Sequence, residues 1–322
     1  MKRLFCTVLA FVALACCAAA SAQDASPSKV TRMIVVYPAG GGADLLARTL
    51  GDSITRQSGQ RLIVENRAGA SGMIGTTACK NAAPDGYTYC LVLSDVVTIH
   101  PHVFKKITYD AEKDLVPVAS VADFAVVLAA NSTVPVKDMK ELAAYSRANK
   151  DKVNWGSFGV ASSSHLMLAR LNESLDGSVT HVPYQGVPQL ISALLNKEID
   201  VSLLIYGQVA QYLDKGQMKV LGVMGTRRAP MLPDVPTFVE QGLNFAPVLW
   251  YGVFAPAGTP PLAVERMNKL VNQALEDAAV RKVLETQGFF AAPSTPTAFG
   301  ERAAQDRNSW GPIARSLNLS LD

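Results

Sequence analysis

A β-branched run, Met33-Ile34-Val35-Val36, leads through Tyr37-Pro38-Ala39 into three consecutive glycines, Gly40, Gly41 and Gly42. Ala43 and Asp44 follow, and then Leu45, Leu46, Leu50 and Ile54 recur at helical spacing. The run reads as a buried strand, the glycines as a tight loop, and Asp44 as a first-turn residue complementing the dipole of the helix it opens. A strand feeding a glycine loop feeding a helix gathers unpaired backbone N–H groups at the positive end of a helix dipole. That geometry binds anions without lysine or arginine. The expectation is reversible capture of a small carboxylate, with no chemistry done on it.

The pattern continues as strands alternating with helices. Arg61 to Asn66 reads as a strand, Gly69 to Gly75 as the entry to a helix, and Tyr87 to Leu93 as the next strand. Alternation of this kind implies a mostly parallel sheet, whose ligands sit beyond the carboxyl ends of its strands. The loops at Ala39 and at Ser94 are therefore expected on one edge. Val126 to Ala130 is a further strand, and from Val153 the pattern starts afresh. Val153-Asn154-Trp155-Gly156 precedes the hydroxyl-rich loop Ser157 to Ser164, and strands are expected at Val179–Tyr184, Asp200–Ile205 and Lys219–Met224. Leu249 to Phe254 crosses back, and amphipathic helices at Pro261–Asp277 and Val280–Gln287 cover the first sheet. Crossings near 126 and 251 describe a hinged clamp. Its segments are 23–125 with 251–322 as domain 1 and 126–250 as domain 2, with a cleft between the lobes.

Composition removes several alternatives. The chain carries 30 Lys and Arg against 27 Asp and Glu, and Lys2 and Arg3 account for two of the basic residues, leaving 28 against 27. No basic patch for nucleic acid emerges. Lys2-Arg3, the apolar Leu4–Ala18 and Ala20-Ser21-Ala22 have the form of a cleavable export signal over 1–22, followed by Gln23. Cys16 and Cys17 raise a lipid-anchored alternative, but position 13 is alanine where the acylation motif wants leucine. Export leaves Cys79 and Cys90, either as a disulfide in an oxidising compartment or as two buried thiols. Two cysteines and four scattered histidines do not make a zinc site.

The glycine loop lacks both the G-x-G-x-x-G spacing and the lysine of a P-loop, so nothing implies a nucleotide, another cofactor or a metal. Serines in the Ser157–Ser164 loop can cap the helix after them or offer hydroxyls to a carboxylate. Ser164-His165 makes a poor nucleophile pair, since helical neighbours diverge and no G-x-S-x-G elbow is present. His100 and His102 read as loop residues, His181 as a hydrogen-bonded core histidine, and Arg227-Arg228 as a solvated pair or a contact to a membrane partner. A receptor with a Kd of ~1 μM needs about 8 kcal/mol, and four or five hydrogen bonds to a charged group, roughly 1.5–3 kcal/mol each, cover it without a salt bridge.

Taken together, Tyr37 to Asp44 with Ala47-Arg48, Val64-Glu65-Asn66-Arg67 with Gly69 to Gly72, and Pro84 to Thr88 resemble one known family. His181 to Gly186, Leu232 to Thr237 and Phe254 to Pro260 extend the likeness over the mature chain in the same order. The chain resembles the extracytoplasmic receptors of tripartite tricarboxylate transporters, the Bug receptors. The resemblance implies an α/β, two-lobed, type II-like periplasmic binding protein, each lobe a mixed, mostly parallel sheet flanked by helices. It further implies a monomer in the periplasm that closes around a small carboxylate and passes it to membrane permease subunits. A sensor feeding a membrane kinase, or a hydrolase on the same clamp, are the alternatives.

The resemblance carries over onto Ala39, Gly40, Gly41, Gly42 and Ala43, and the expected ligand-binding set adds Tyr37, Asp44, Ser94 and Asp95. Ser157, Phe158, Ser162, Ser163 and Ser164, then Pro183, Tyr184, Gln185, Gly186 and Leu204, complete it. No residue is assigned a catalytic or metal role. The family often has Phe at 37, Lys at 185, small polar residues at 95–96 and an Asp-Asn pair near 204–205. Here Leu204-Ile205 makes one wall apolar, which suits a less polar acid. Asp95 could hold an ammonium group or be an exposed loop aspartate.

Overall fold

The computed structural model describes residues 29–160, 162–184, 187–225, 227–243 and 247–316. The 1–22 export signal lies outside the described residues, as do Gln185 and Gly186.

The chain opens with β1 (Thr31–Val35), α1 (Gly42–Ser58), β2 (Leu62–Asn66), α2 (Met73–Lys80) and β3 (Thr88–Leu93). Two short helices, α3 (Ser94–Thr98) and α4 (His100–Val103), separate β3 from β4 (Leu115–Phe124). Next come β5 (Val126–Asn131), α5 (Met139–Ala148), β6 (Asn154–Ser157), α6 (Ser163–Leu175), β7 (Thr180–Pro183), α7 (Val187–Leu195), β8 (Val201–Ile205), α8 (Tyr206–Asp214) and β9 (Met218–Val223). The chain closes with β10 (Trp250–Pro256), α9 (Pro261–Ala274), α10 (Ala278–Gln287), β11 (Phe289–Ala291) and α11 (Pro296–Ser316).

Local chemistry accounts for these units. α1 buries Leu46, Ala47, Leu50 and Ile54 on one face, as its spacing requires, and stops at Gly59, whose φ of 71° is left-handed. α2 lies directly on the end of β1 because position 75 is glycine. A Cβ there would sit 2.6 Å from the Arg67 carbonyl oxygen and 2.8 Å from Val36 Cα. A disulfide from Cys79 to Cys90, with Cα atoms 6.0 Å apart, ties α2 to β3 and resolves the choice that composition leaves open.

The elements form two sheets. The first has the order β11-β4-β10-β3-β1-β2 and the second β7-β6-β8-β5-β9. In the first, β2, β1, β3 and β4 point one way and β10 and β11 the other. In the second, β7, β6, β8 and β9 share a direction and only β5 is reversed. Each sheet is therefore mostly parallel in direction, with its antiparallel pairs made by strands next to the chain crossings.

Those crossings are abrupt. β4 ends at Phe124 in the first sheet and β5 begins at Val126 in the second, with Ala125 alone between them. Ala125 N–H donates to the Gly288 carbonyl at 2.9 Å, and its own carbonyl accepts Tyr206 N–H at 2.8 Å. One residue thus links three segments of both lobes. Buried side chains from the first lobe, such as Leu46 and Val253, and from the second, such as Trp155 and Leu203, belong to one continuous apolar cluster. The lobes are in contact.

Several expectations need correcting. Ser94 does not begin a loop, because α3 starts there without a break. His100 and His102 lie in α4, and His100 is buried, with burial pushing its pKa down to about 4. β4, α8, β11 and α11 are additional to the elements expected from the sequence.

Candidate functional site

A cavity of about 200 Å³ lies between the lobes. Tyr37, Leu93, Phe124, Leu249 and Tyr251 line it from the first-sheet side. Val126, Phe158, Ser163, Val187, Leu203, Leu204, Ile205 and Gln208 line it from the other. Its volume falls below the roughly 300–1,000 Å³ typical of drug-sized ligands, so it suits a solute of few heavy atoms. Among the described residues no lysine, arginine or histidine lines it. Other hollows are larger, about 580 Å³ beside α10 and about 420 Å³ behind the Ala125 crossing, but neither gathers residues from the ligand set.

The chain brings these residues together through strand ends. Leu93 terminates β3, Leu203 to Ile205 terminate β8, and Phe158 follows β6 directly. Phe124 and Tyr251 flank the two crossings and pack edge to face with centroids 4.6 Å apart. Tyr37 lies 6.4 Å from Tyr251. Burial raises the hydroxyl pKa of both tyrosines, so both are hydrogen-bonding phenols near neutral pH.

Next to this apolar space is a polar cluster, of which only Ser163 lines the cavity. Asp95, in the first turn of α3, has its Oδ2 accepting the Ser163 amide of α6 at 3.2 Å, a hydrogen bond across the lobe boundary. Asp95 is 4 % exposed, Ser94 1 % and Ser163 0 %. Ser94 Oγ completes no hydrogen bond of acceptable geometry, while the Ser163 hydroxyl faces the Asp95 carboxyl. Burial pushes the Asp95 carboxyl up to about 6, even though the amide and hydroxyl of Ser163 face it and pull the other way. The expectation of an exposed loop aspartate does not hold.

The glycine loop has a different character. Ala39, Gly40 and Gly41 are exposed and Gly42 half-buried, and none lines the cavity. Gly40 N–H donates to Asp44 Oδ2 at 3.0 Å, so one of the loop's amides is already taken. Arg48 pairs with Asp44 at 2.9 Å and donates to Asn66 Oδ1 at 3.0 Å, while Asn66 holds the Tyr37 carbonyl at 3.2 Å. Burial raises the Asp44 carboxyl, but the hydrogen bonds from Arg48 and Gly40 outweigh it, and its pKa lies below the ordinary value. Gly41 caps α1 without any side-chain hydrogen bond. The first amides of α1 point away from the helix body, and by helix geometry they have no intrahelical acceptor. Ala43 is a core residue, 4 % exposed. Of this loop, only Tyr37 reaches the cavity. A side chain at Gly42 would meet Phe289, which in turn packs on Phe124 and Tyr251.

The serine loop sorts by partner. Ser157 Oγ lies 2.6 Å from His181 Nε2 and 3.0 Å from the Gly159 carbonyl. Ser162 caps α6 by accepting His165 N–H at 3.3 Å, and donates to Gly159 at 2.7 Å. Ser164 accepts the Trp155 indole N–H at 3.0 Å. Their hydroxyls are committed to holding the loop, which leaves Ser163 and Phe158 to face the cavity. The Ser164-His165 pair does not form. His165 instead stacks on His181, centroids 3.8 Å apart, and desolvation with that neighbour pushes His181 down to about 4. Ser157 has no exposed surface, so its contact with His181 is a structural link rather than a reachable nucleophile. Pro183 is exposed and Tyr184, whose N–H donates to Ser157, half-buried, and neither lines the cavity. Leu204 does. Among the described residues no three His, Cys, Asp or Glu side chains gather as metal ligands, and no helix is long and apolar enough to cross a membrane.

Leu93, Phe124, Val126, Val187, Leu203, Ile205, Gln208, Leu249 and Tyr251 escaped sequence reasoning. For Phe124, Leu249 and Tyr251 a signal existed, since residues flanking a hinge crossing must border the cleft.

Comparison with known proteins bears on this geometry. The sequence model described as "Tripartite tricarboxylate transporter family receptor" matches residues 46–319. Protein BugT of Bordetella pertussis is 30% identical over 323 residues, covering 100% of this chain and 99% of the relative. The structure of the periplasmic binding protein BugD superposes with a TM-score of 0.80 at 30% identity, over 92% of this chain and 100% of that one. MatC from Rhodopseudomonas palustris with bound malate superposes with a TM-score of 0.79 at 29% identity, over 89% and 99%.

Proposed function

The chain belongs to the tripartite tricarboxylate transporter receptor family, and we propose that it captures a small carboxylate in the periplasm and delivers it to membrane permease subunits. It acts without turnover, as a monomer and without a cofactor, after loss of its 1–22 leader. The observation that carries this reading is the site of the cavity. Walls from both lobes meet around it, so a solute that fills it also holds the lobes together, as in hinge-closing binding proteins. The relative that carries malate supports an organic acid as the solute class.

In this reading the carboxylate is held at the start of α1 by loop amides not used by Asp44, and the remainder of the solute reaches past Tyr37 into the apolar space. The lobes correspond to 23–125 with 251–322 and to 126–250, hinged at Ala125 and near Trp250. Thermal unfolding with a panel of organic acids tests the proposal. Binding at a concentration of 100 Kd stabilises the folded state by about 2.7 kcal/mol, a saturable rise in Tm. Consumption of the acid by the purified chain overturns it.

A further inference from the structure

Gln208 and Tyr251 line the interlobe cavity from opposite lobes, each with a polar atom that no described residue satisfies. Gln208 sits in the first turn of α8, and its Oε1 accepts Ile205 N–H at 3.0 Å. That bond fixes which way the amide faces, since a flipped amide would set N–H against N–H. Gln208 Nε2 donates to no described residue, yet it is not sealed from solvent. The same holds for Tyr251 Oη, on a side chain that is 9 % exposed and feels no hydrogen-bonding group. The other polar side chains of the lining are engaged: the Ser163 hydroxyl faces the Asp95 carboxyl, and the Leu93 amide faces the Tyr37 hydroxyl. The remaining walls are carbon, Phe124, Phe158, Leu203 and Leu249 among them. A dry apolar cavity of about 150 Å³ takes one benzene ring. This one, at about 200 Å³, therefore takes a single ring or a branched chain.

We infer that Gln208 is a specificity-determining residue: with Tyr251 it gives hydrogen bonds, one from each lobe, to an uncharged oxygen at the far end of the solute. The solute class is a monocarboxylic acid whose body is one ring or a short branched chain bearing a carbonyl, ether or hydroxyl oxygen. Three other endings fit less well. A wholly apolar end strips water from Gln208 Nε2 and Tyr251 Oη and leaves both unpaired. An ionised carboxylate leaves water for carbon walls with only neutral donors to offset the loss. An ammonium end sets donor against donor at Gln208. An uncharged acceptor satisfies both groups, and it does so only while the lobes are together, so recognition of this oxygen also favours the closed cleft. This deepens the carboxylate-receptor reading and rests on it.

Calorimetric titration of the full mature chain tests the assignment with length-matched sets. Each set holds a plain monoacid, its oxo derivative with the ketone next to the far end, the ω-amino acid and the α,ω-dicarboxylate, about five to eight carbons long. For the wild type, the best oxo acid is expected to bind about three- to tenfold tighter than the plain acid, and at least about tenfold tighter than the dicarboxylate. Gln208→Glu keeps an oxygen for Ile205 N–H but turns the donor into an acceptor, so it is expected to shift the oxo-to-amino affinity ratio at least about tenfold toward the amino acid. Tyr251→Phe is expected to reduce the oxo preference about threefold. Cooperative thermal unfolding reports that each variant is folded. A plain acid or a dicarboxylate that binds the wild type as tightly as the oxo acid overturns the inference and leaves the receptor reading standing. So does an unchanged oxo-to-amino ratio in folded Gln208→Glu. If a variant binds nothing, the wild-type ratios decide. If the wild type binds no acid of any kind, the receptor reading falls and this inference with it.

Discussion

Among the helices that meet a carboxylate at their N-termini, α1 and α6 resolve the same electrostatic problem in opposite ways. At α1 the carboxylate is Asp44, from the helix itself. It is 6 % exposed, holds the N–H of the exposed Gly40 and pairs with Arg48. At α6 it is Asp95, from the other lobe, which is buried and holds Ser163 N–H, with no cation among the groups acting on it. The Asp44 pKa lies below the ordinary carboxylate value and that of Asp95 is pushed up to about 6. The charge that is paired with Arg48 keeps a loop in shape. The charge that is buried without a cation is a cost to the folded protein.

The sharpest way to break this contrast is to titrate stability. The ordinary Asp value is 3.8 and the folded value for Asp95 is about 6, so between these limits the folded chain holds a proton that the unfolded chain has released. Stability from this group therefore falls as pH rises through that window, by up to about 3 kcal/mol once Asp95 is fully charged. Asp95→Asn is expected to match the wild type near pH 4 and to exceed it above pH 7, in urea unfolding measured without ligand. Other titrating groups cancel in the comparison, being common to both proteins. A difference independent of pH would mean that Asp95 is hydrated in solution.

How much of this contrast was legible follows from where each partner lies in the chain. The alternation from Met33 to Leu93 announced the first lobe, since β-branched runs and helical spacing are local signals. β4 was not announced. Its sequence, Leu115 to Phe124, carries Pro117 and mixes small and polar residues, and its strand character comes from pairing with β10. α11 was hidden by Gly300, Gly311 and Pro312, and is held by packing of Phe299, Trp310 and Ile313 instead of by propensity. Within the site, the hydroxyl-rich loop could be seen but its division of labour could not. Ser164 is taken by Trp155 and Ser157 by His181, each across a separate strand. That Asp95 reaches Ser163, 68 positions away, depends on the approach of the lobes, and no local pattern encodes it.

That dependence can be tested by holding the lobes apart. Gly207, in the first turn of α8, abuts the end of α10, where a Cβ would lie 2.5 Å from Gln287 C and 2.7 Å from the Thr286 carbonyl oxygen. These are backbone atoms, which cannot rotate away. Gly207→Ala is expected to cost about 1–3 kcal/mol in chemical unfolding. It should also shrink the pH-dependent gap between Asp95 and its Asn variant, because a parted cleft hydrates Asp95. Asp44, whose partners all lie within the first lobe, should titrate as before. An unaltered Asp95 gap in this background would show that the α8–α10 contact does not govern how the cavity is closed.

The smallest effect belongs to Asp44 and has the opposite sign in pH. Its stabilisation is present above the ordinary carboxylate range and is lost as pH falls through its lowered folded value. Asp44→Asn should therefore cost about 1 kcal/mol at pH 7 and little near pH 2, since asparagine can still accept Gly40 N–H but no longer pairs with Arg48. Binding adds a second readout. Asp44 places negative charge at the start of α1, where the proposed carboxylate is held, so neutralising it leaves the helix dipole and Arg48 unopposed. Affinity for the acid is then expected to rise about two- to fivefold, more at low ionic strength than at high. If affinity is unchanged while stability falls, the triglycine loop shapes the lobe without touching the solute, and the anion's donors lie deeper in the cleft.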